Sequence, residues 1–367
     1  MKICVLGGGN GAFAAAAHLG LEGYQINIYS PFKEELDSII KEGGITLKGC
    51  LGEHFVKGIK VCKQLALAVK NADIVMLIVP AIFHPQYARL LAPLLEEGQI
   101  LFLNPGHSGG ALEVKQILKE QGLAAKITLI ETNTLTYITR KTGYNEATIF
   151  KVNNSVLFSA LPACETPAVS QKITELYPEL IVADSVLETS LANFNAVMHI
   201  PLVILNAAVI ERTQGDFYFY FEGTTPAVGK VIEALDKERM AIMKGLGLSP
   251  NSFLEYFYQI GMTTKDAYES GSYYRVTKES PPNAKIKGPD SLKHRFLEED
   301  IRCGLVPMAA LGDLYKVDTP LMDVLITLSN LINEKNYWEE GLNLRKLGLA
   351  NMSPQQVLRY VKNGKVN

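Results

Sequence analysis

The sequence predicts an α/β first half followed by an all-α second half, on three observations. A glycine run stands directly behind the first apolar strand, apolar runs then alternate with helical segments to about residue 184, and strand signals nearly vanish thereafter. Lys2-Ile3-Cys4-Val5-Leu6 is a short β-rich run, followed by Gly7-Gly8-Gly9-Asn10-Gly11-Ala12 and an alanine-rich helical stretch through Leu21. Read as Gly7-x-Gly9-x-x-Ala12, it is a dinucleotide fingerprint in strand–turn–helix context. Gly7 permits the tight turn, Gly9 lets the backbone approach a pyrophosphate, and Ala12 is small enough for the helix to pack on the strand. Asn10 and Gly11 lie in the same loop, where the helix start presents unpaired N–H groups to phosphate.

Residues 26–29, 74–79, 100–103, 126–130, 155–161 and 180–182 read as further strands, with helices over 31–41 and 165–176. Such runs indicate a parallel sheet covered on both faces. A long helix is expected over 188–212, followed by helices at 228–245 and 251–260 and more to the C-terminus. The organisation expected is an NAD(P)-binding Rossmann domain over 1–185 and a helical substrate-binding and catalytic domain over 186–367, with substrate in the cleft between strand ends and helices.

At 367 residues the chain is long enough for two domains with sizeable cores. Hydrophobic content of 47% with 20% charged residues is that of a globular protein, and a net charge of −2 gives no reason to expect nucleic acid or an anionic membrane as partner. No apolar segment reads as a membrane span, and Met1-Lys2 leads into the fingerprint strand rather than a signal peptide. Cys4, Cys50, Cys62, Cys164 and Cys303 are scattered and lack Cys-x-x-Cys spacing, which suits reduced thiols in a cytoplasmic protein with no disulfide framework and no metal site.

Cofactor choice rests on the end of the second strand, where an NAD-binding chain usually carries Asp or Glu for the ribose 2′-hydroxyl. Here Ser30 stands at that point and Lys33 follows, a hydroxyl and a cation that suit a 2′-phosphate, so NADPH is expected ahead of NADH; a register placing Glu34 or Glu35 there would reverse this. Val79-Pro80-Ala81 and Asn104-Pro105-Gly106-His107 follow later strands as cofactor-side loops. The histidines in those loops, His84 and His107, read as ordinary polar surface residues.

The catalytic candidate is His199. Within the expected long helix, Glu188, Asn195, His199 and Asn206 fall on one narrow face, either toward a cleft or as a solvent stripe. Pro201 removes one helical hydrogen bond and is expected to kink the helix beside the histidine. The segment Arg295-Phe296-Leu297-Glu298-Glu299-Asp300-Ile301 supplies a possible partner: Asp300 would fix one ring nitrogen and leave the other to exchange a proton with substrate.

The segments GGGNGA (7–12), VPAIFH (79–84), NPGHSGG (104–110), ETNTLTYITR (131–140), NFNAVMHIP (193–201), YFEGTTP (220–226) and RFLEEDIRCGLVPMAALG (295–312) together resemble the opine dehydrogenases of the octopine/nopaline type, nearly end to end. The resemblance implies a His199–Asp300 dyad and an NAD(P)H-dependent reductive condensation of a 2-oxo acid, often pyruvate, with the amino group of an amino acid. It also implies a Rossmann-type domain followed by an all-α C-terminal domain in a 6-phosphogluconate-dehydrogenase-like arrangement. Arg302 departs from the family, which more usually has Pro there, and puts the local loop shape in question. Substrate carboxylates need cationic partners, for which Arg140, Arg295, Arg275 and Lys265 are candidates; Asn195, Thr224 and Thr225 are candidate polar contacts, and Thr224 and Thr225 alternatively cap the turn before Pro226. The small-molecule substrates are the expected partners, and a homodimer is compatible with this reading. A ketopantoate-reductase-like 2-oxo acid reductase and an inactive dinucleotide sensor are the alternatives.

Overall fold

The computed structural model describes residues 1–366. Among them, twelve strands are formed: β1 (Lys2–Leu6), β2 (Gln25–Tyr29), β3 (Gly44–Gly49), β4 (His54–Lys57), β5 (Lys60–Val61), β6 (Ile74–Leu77), β7 (Ile100–Leu103), β8 (Thr128–Thr132), β9 (Tyr137–Gly143), β10 (Glu146–Val152), β11 (Leu157–Leu161) and β12 (Ile181–Val182). The chain divides into two compact units, one of Met1–Thr189 with Tyr360–Lys365 and one built on Ser190–Arg359.

The first unit carries an eight-stranded sheet in the order β12-β11-β8-β7-β6-β1-β2-β5. From β5 to β8 every pairing is parallel, and the order reverses between β1 and β6, which is where a dinucleotide crosses such a sheet. The expected series of parallel strands stops at β8, because β11 pairs with it antiparallel. A second, four-stranded sheet, β4-β3-β10-β9, escapes the sequence reading altogether. In β3 the buried Ile45 and Leu47 alternate with the half-buried Thr46 and Lys48, so the strand lacks the continuous apolar signal of the parallel strands.

That second sheet explains the alanines of helix α1 (Asn10–Leu21). Phe13 through Ala17 are fully buried, and the core around them contains both Ile3 and Val5 of the large sheet and Ile45, Leu47, Ala147 and Ile149 of the small one. A helix packed on two sides needs small residues for close approach; at Gly20 a Cβ would fall 2.9 Å from Val56 Cγ1. Residues 31–41 do not form one helix: a 3₁₀ turn, Lys33–Glu35, precedes a helix at Asp37–Glu42. Helix α2 (Gly110–Glu120) follows the loop after β7.

The second unit is helical. The long helix expected over 188–212 is three segments: Val186–Leu191, most of which belongs to the first unit, α3 (Phe194–Leu205) and Ala207–Thr213. Asn193 adopts extended backbone and caps α3 by accepting the Asn195 N–H. Pro201 lies inside α3, which continues through it; the chain instead turns by 68° at the break around Asn206, whose backbone is non-helical. The unit continues with α4 (Pro226–Gly245), α5 (Arg295–Asp300), a π-helical turn (Ile301–Leu305) and α6 (Val306–Tyr315). No single helix among the described residues is long and apolar enough to cross a membrane.

Candidate active site

In the first unit the fingerprint loop sits at the sheet's reversal point. Gly7 has φ +131°, and a Cβ there would strike the Ile78 carbonyl oxygen, so the turn requires glycine. Gly9 starts α1 in extended backbone, and a Cβ built on it meets nothing within 4 Å. No side chain caps α1 and no acidic residue stands in its first turn, leaving its leading N–H groups and positive dipole end suited to a pyrophosphate. Close packing is shared by Ala12 and Gly11: a Cβ at Gly11 would lie 2.9 Å from Ile78 Cγ2. Asn10 turns toward β9, its Oδ1 accepting the Lys141 N–H at 2.8 Å. The loop therefore fits a nicotinamide dinucleotide, which when bound supplies or accepts the hydride.

The end of β2 differs from the sequence expectation. The Ser30 hydroxyl donates to Glu35 Oε2 at 2.5 Å, and the Phe32 N–H donates to Ser30 Oγ, so Ser30 is already engaged. The same carboxylate lies where a Cβ on Gly8 would be. Lys33 is exposed. A carboxylate at this point accepts from ribose hydroxyls and repels a 2′-phosphate, which reverses the reason for ranking NADPH first.

Val79 and Pro80 are half-buried after β6, and the Asn104–Pro105 peptide after β7 is cis. Gly106 donates its N–H to the Thr132 carbonyl at 2.9 Å, and a Cβ there would collide with the Glu131 side chain. Glu131 is fully buried; it accepts from the Ala111 N–H at 2.7 Å and from the Thr189 hydroxyl at 2.5 Å, and burial pushes its carboxyl up to about 7. His84 and His107 are not surface residues: both are buried, and burial, reinforced by His107, lowers His84 to about 3.

In the second unit α5 brings Asp300 to α3. His294 caps α5 through its Nδ1, which accepts the Phe296 N–H. Beyond Asp300 the π-helical turn reaches Gly304, where a Cβ would lie 2.5 Å from Ala196 Cβ, so glycine and alanine let the two helices close. Asp300 Oδ2 then sits 2.7 Å from His199 Nδ1. Both side chains are buried, His199 at 6% and Asp300 at 4% exposure, which excludes the solvent stripe for this histidine. Glu188 and Asn206 do not share its environment: Glu188 accepts the Asp184 N–H in the first unit, and Asn206 Nδ2 donates to the Leu202 and Gly223 carbonyls.

His199 has two further neighbours that the sequence reading missed. Tyr220 Oη lies 2.8 Å from Nε2, and Phe296 stacks on the imidazole at 4.3 Å. With Asp300 accepting from Nδ1–H, the neutral ring offers its Nε2 lone pair to the tyrosine hydroxyl. Both residues stood in quoted segments, YFEGTTP and RFLEED; an aromatic side chain there carries no sequence signal of what it faces.

Of the expected carboxylate partners, Arg140 is exposed on β9 and donates to the Thr139 carbonyl. Arg275 pairs with Glu279 at 2.7 Å and Lys265 with Glu269 at 3.4 Å, both along their own helices. Arg295 is exposed and only loosely paired, 3.9 Å from Glu299. Asn195 is half-buried in the first turn of α3. Thr225 caps α4 by accepting the Val228 N–H, whereas the Thr224 hydroxyl is buried with no hydrogen-bond partner. Arg302, in place of the usual proline, lies in the π-helical turn and pairs with Glu298 at 3.4 Å.

A glycine-loop Rossmann sheet followed along the chain by a helical unit is an arrangement suited to an NAD(P)-dependent oxidoreductase. Residues 2–130 match the NAD-dependent glycerol-3-phosphate dehydrogenase N-terminus, and residues 182–333 match the alpha-helical domain of the NAD/NADP octopine/nopaline dehydrogenases. An opine dehydrogenase of Arthrobacter sp. (strain 1C) is 34% identical over 351 residues, covering 95% of each chain. The chain belongs to the opine dehydrogenase family. Its fold is similar to an octopine dehydrogenase structure described with NADH and L-arginine, at a TM-score of 0.79 and 17% identity over 100% of this chain and 98% of that one. It is less similar to a ketopantoate reductase structure from Ralstonia eutropha, at a TM-score of 0.60 and 15% identity over 92% and 99%.

Proposed function

We propose that the chain condenses a 2-oxo acid, pyruvate first among candidates, with the amino group of an amino acid and reduces the resulting imine to a secondary-amine dicarboxylate. The observation that carries this is the buried Asp300–His199 hydrogen bond at 2.7 Å. A carboxylate on Nδ1 fixes the tautomer and orientation of the ring and directs Nε2 to proton exchange, so His199 serves as general acid and base. Arg295, five residues before Asp300 and loosely paired, is assigned to a substrate carboxylate. Asn195 and the unpartnered Thr224 hydroxyl are assigned to substrate polar groups.

The test is a screen of NADH and NADPH oxidation over 2-oxo acids crossed with amino acids, with mass detection of products. Pyruvate alone should give little oxidation. With the right amino acid, oxidation should be rapid and the product mass should equal both substrates less water plus two hydrogens. His199→Ala should lower turnover by roughly 10²–10⁴ without weakening cofactor binding. Full turnover of a 2-oxo acid with no amine, and no adduct, would establish a simple 2-oxo acid reductase instead.

A further inference from the structure

The dyad does not end at the histidine. His199 Nε2, the nitrogen that acid–base chemistry needs, is held by Tyr220 Oη at 2.8 Å. The imidazole cannot easily rotate away, because Asp300 holds Nδ1 and Phe296 stacks on its face. Tyr220 is itself 4% exposed and sits in a braced turn. The N–H groups of Glu222 and Gly223 both donate to the Tyr218 carbonyl, Phe219 N–H donates to Ile286, and Asn206 Nδ2 holds the Gly223 carbonyl. A Cβ at Gly223 would collide with the Phe219 carbonyl oxygen, so the turn has no slack there. The backbone that carries Tyr220 is thus held in place, and its hydroxyl is bonded to Nε2.

We propose that Tyr220 is the third member of a proton relay, Asp300–His199–Tyr220, and that its hydroxyl is the group that exchanges a proton with substrate. The relay rests on the opine reading for the step it serves. In the reductive direction the imidazolium passes its Nε2 proton to Tyr220 Oη as the tyrosine's own proton moves to the carbinolamine hydroxyl. The C–O bond breaks, water leaves, and the nitrogen lone pair forms the C=N bond. The products are neutral imidazole, an unchanged tyrosine and a protonated imine, with one positive charge on each side.

The test is Tyr220→Phe in the full-length enzyme, assayed on whichever substrate the wild type turns over, so that a failed opine reading is seen first in the wild type and leaves the tyrosine still testable. The relay predicts a kcat lower by roughly 10²-fold with KM within a few-fold, and a solvent deuterium isotope effect whose proton inventory drops from two protons to one. It also predicts a changed ¹⁵N chemical shift at His199 Nε2, the ring nitrogen whose hydrogen bond to Tyr220 Oη is lost, with the Nδ1 bond to Asp300 kept. If Tyr220→Phe keeps its kcat while KM falls, the hydroxyl is a placeholder that substrate displaces and the relay is wrong. An Nε2 shift unchanged from wild type also overturns it. Should the phenylalanine variant not fold, difluorotyrosine at 220 must move the basic limb of the kcat profile to lower pH, since an ionised phenol cannot donate; an unmoved limb rejects the relay.

Discussion

Glu35 shows how one side chain redirects a sequence argument. Seen in order along the chain, Ser30 and Lys33 suit a 2′-phosphate; in space, a 3₁₀ turn folds Glu35 back so that its carboxylate accepts the Ser30 hydroxyl at 2.5 Å. Fluorescence titration should therefore find NADH bound more tightly than NADPH, and Glu35→Gln should narrow the gap by removing the charge that repels the 2′-phosphate while keeping an acceptor for Ser30. An unaltered NADH-to-NADPH ratio in that variant would show that the carboxylate does not face the adenosine ribose. His199 and Asp300 were readable as single residues through spacing and family resemblance. Tyr220 was not, because nothing in its sequence neighbourhood says that a turn braced from Ile286 aims it at Nε2.

At the scale of elements, Glu131 ties three of them together: the end of β8, the start of α2 through Ala111 N–H, and the helix Val186–Leu191 through the Thr189 hydroxyl. Burial raises its folded pKa from an ordinary 4.5 to about 7. The sign follows from linkage. Between these values the unfolded chain ionises while the folded one keeps its proton, so stability is fullest below pH 4.5 and falls as pH rises toward 7, by up to about 3 kcal/mol. Glu131→Gln, which keeps an acceptor for Ala111 and a polar partner for Thr189, should unfold at higher denaturant than wild type at pH 8 and at nearly the same denaturant at pH 4.5. Equal midpoints at both values would mean that the carboxyl is ionised in the fold. The parallel strands were legible because burial on both faces leaves continuous apolar runs such as Ile74–Leu77. The strands of the small sheet were not, since half-exposed strands mix Thr, Lys and Glu with their buried residues and resemble loops.

At the scale of the molecule, the reductive direction of the proposed reaction consumes a proton along with 2-oxo acid, amine and reduced cofactor, and it requires His199 as imidazolium, whereas the oxidative direction requires it as free base. Initial-rate profiles should accordingly place the oxidative optimum at higher pH than the reductive one, and coincident optima would remove His199 from the rate-determining proton transfer. What the sequence by itself determined is the fingerprint loop from Gly7 to Ala12, where most strands of the large sheet lie along the chain and the helical character of the second half, with the pairing of His199 and Asp300 implied by the family resemblance. The tertiary structure alone decided which groups those patterns meet. The second sheet enclosing α1, Glu35 on Ser30, the break of the long helix at Asn193 and Asn206, and Tyr220 on the second ring nitrogen all arise between residues that share no period and no motif. Hydrogen bonds and close packing across such separations depend on where the backbone carries each group, and that is set by the whole fold rather than by its nearest residues.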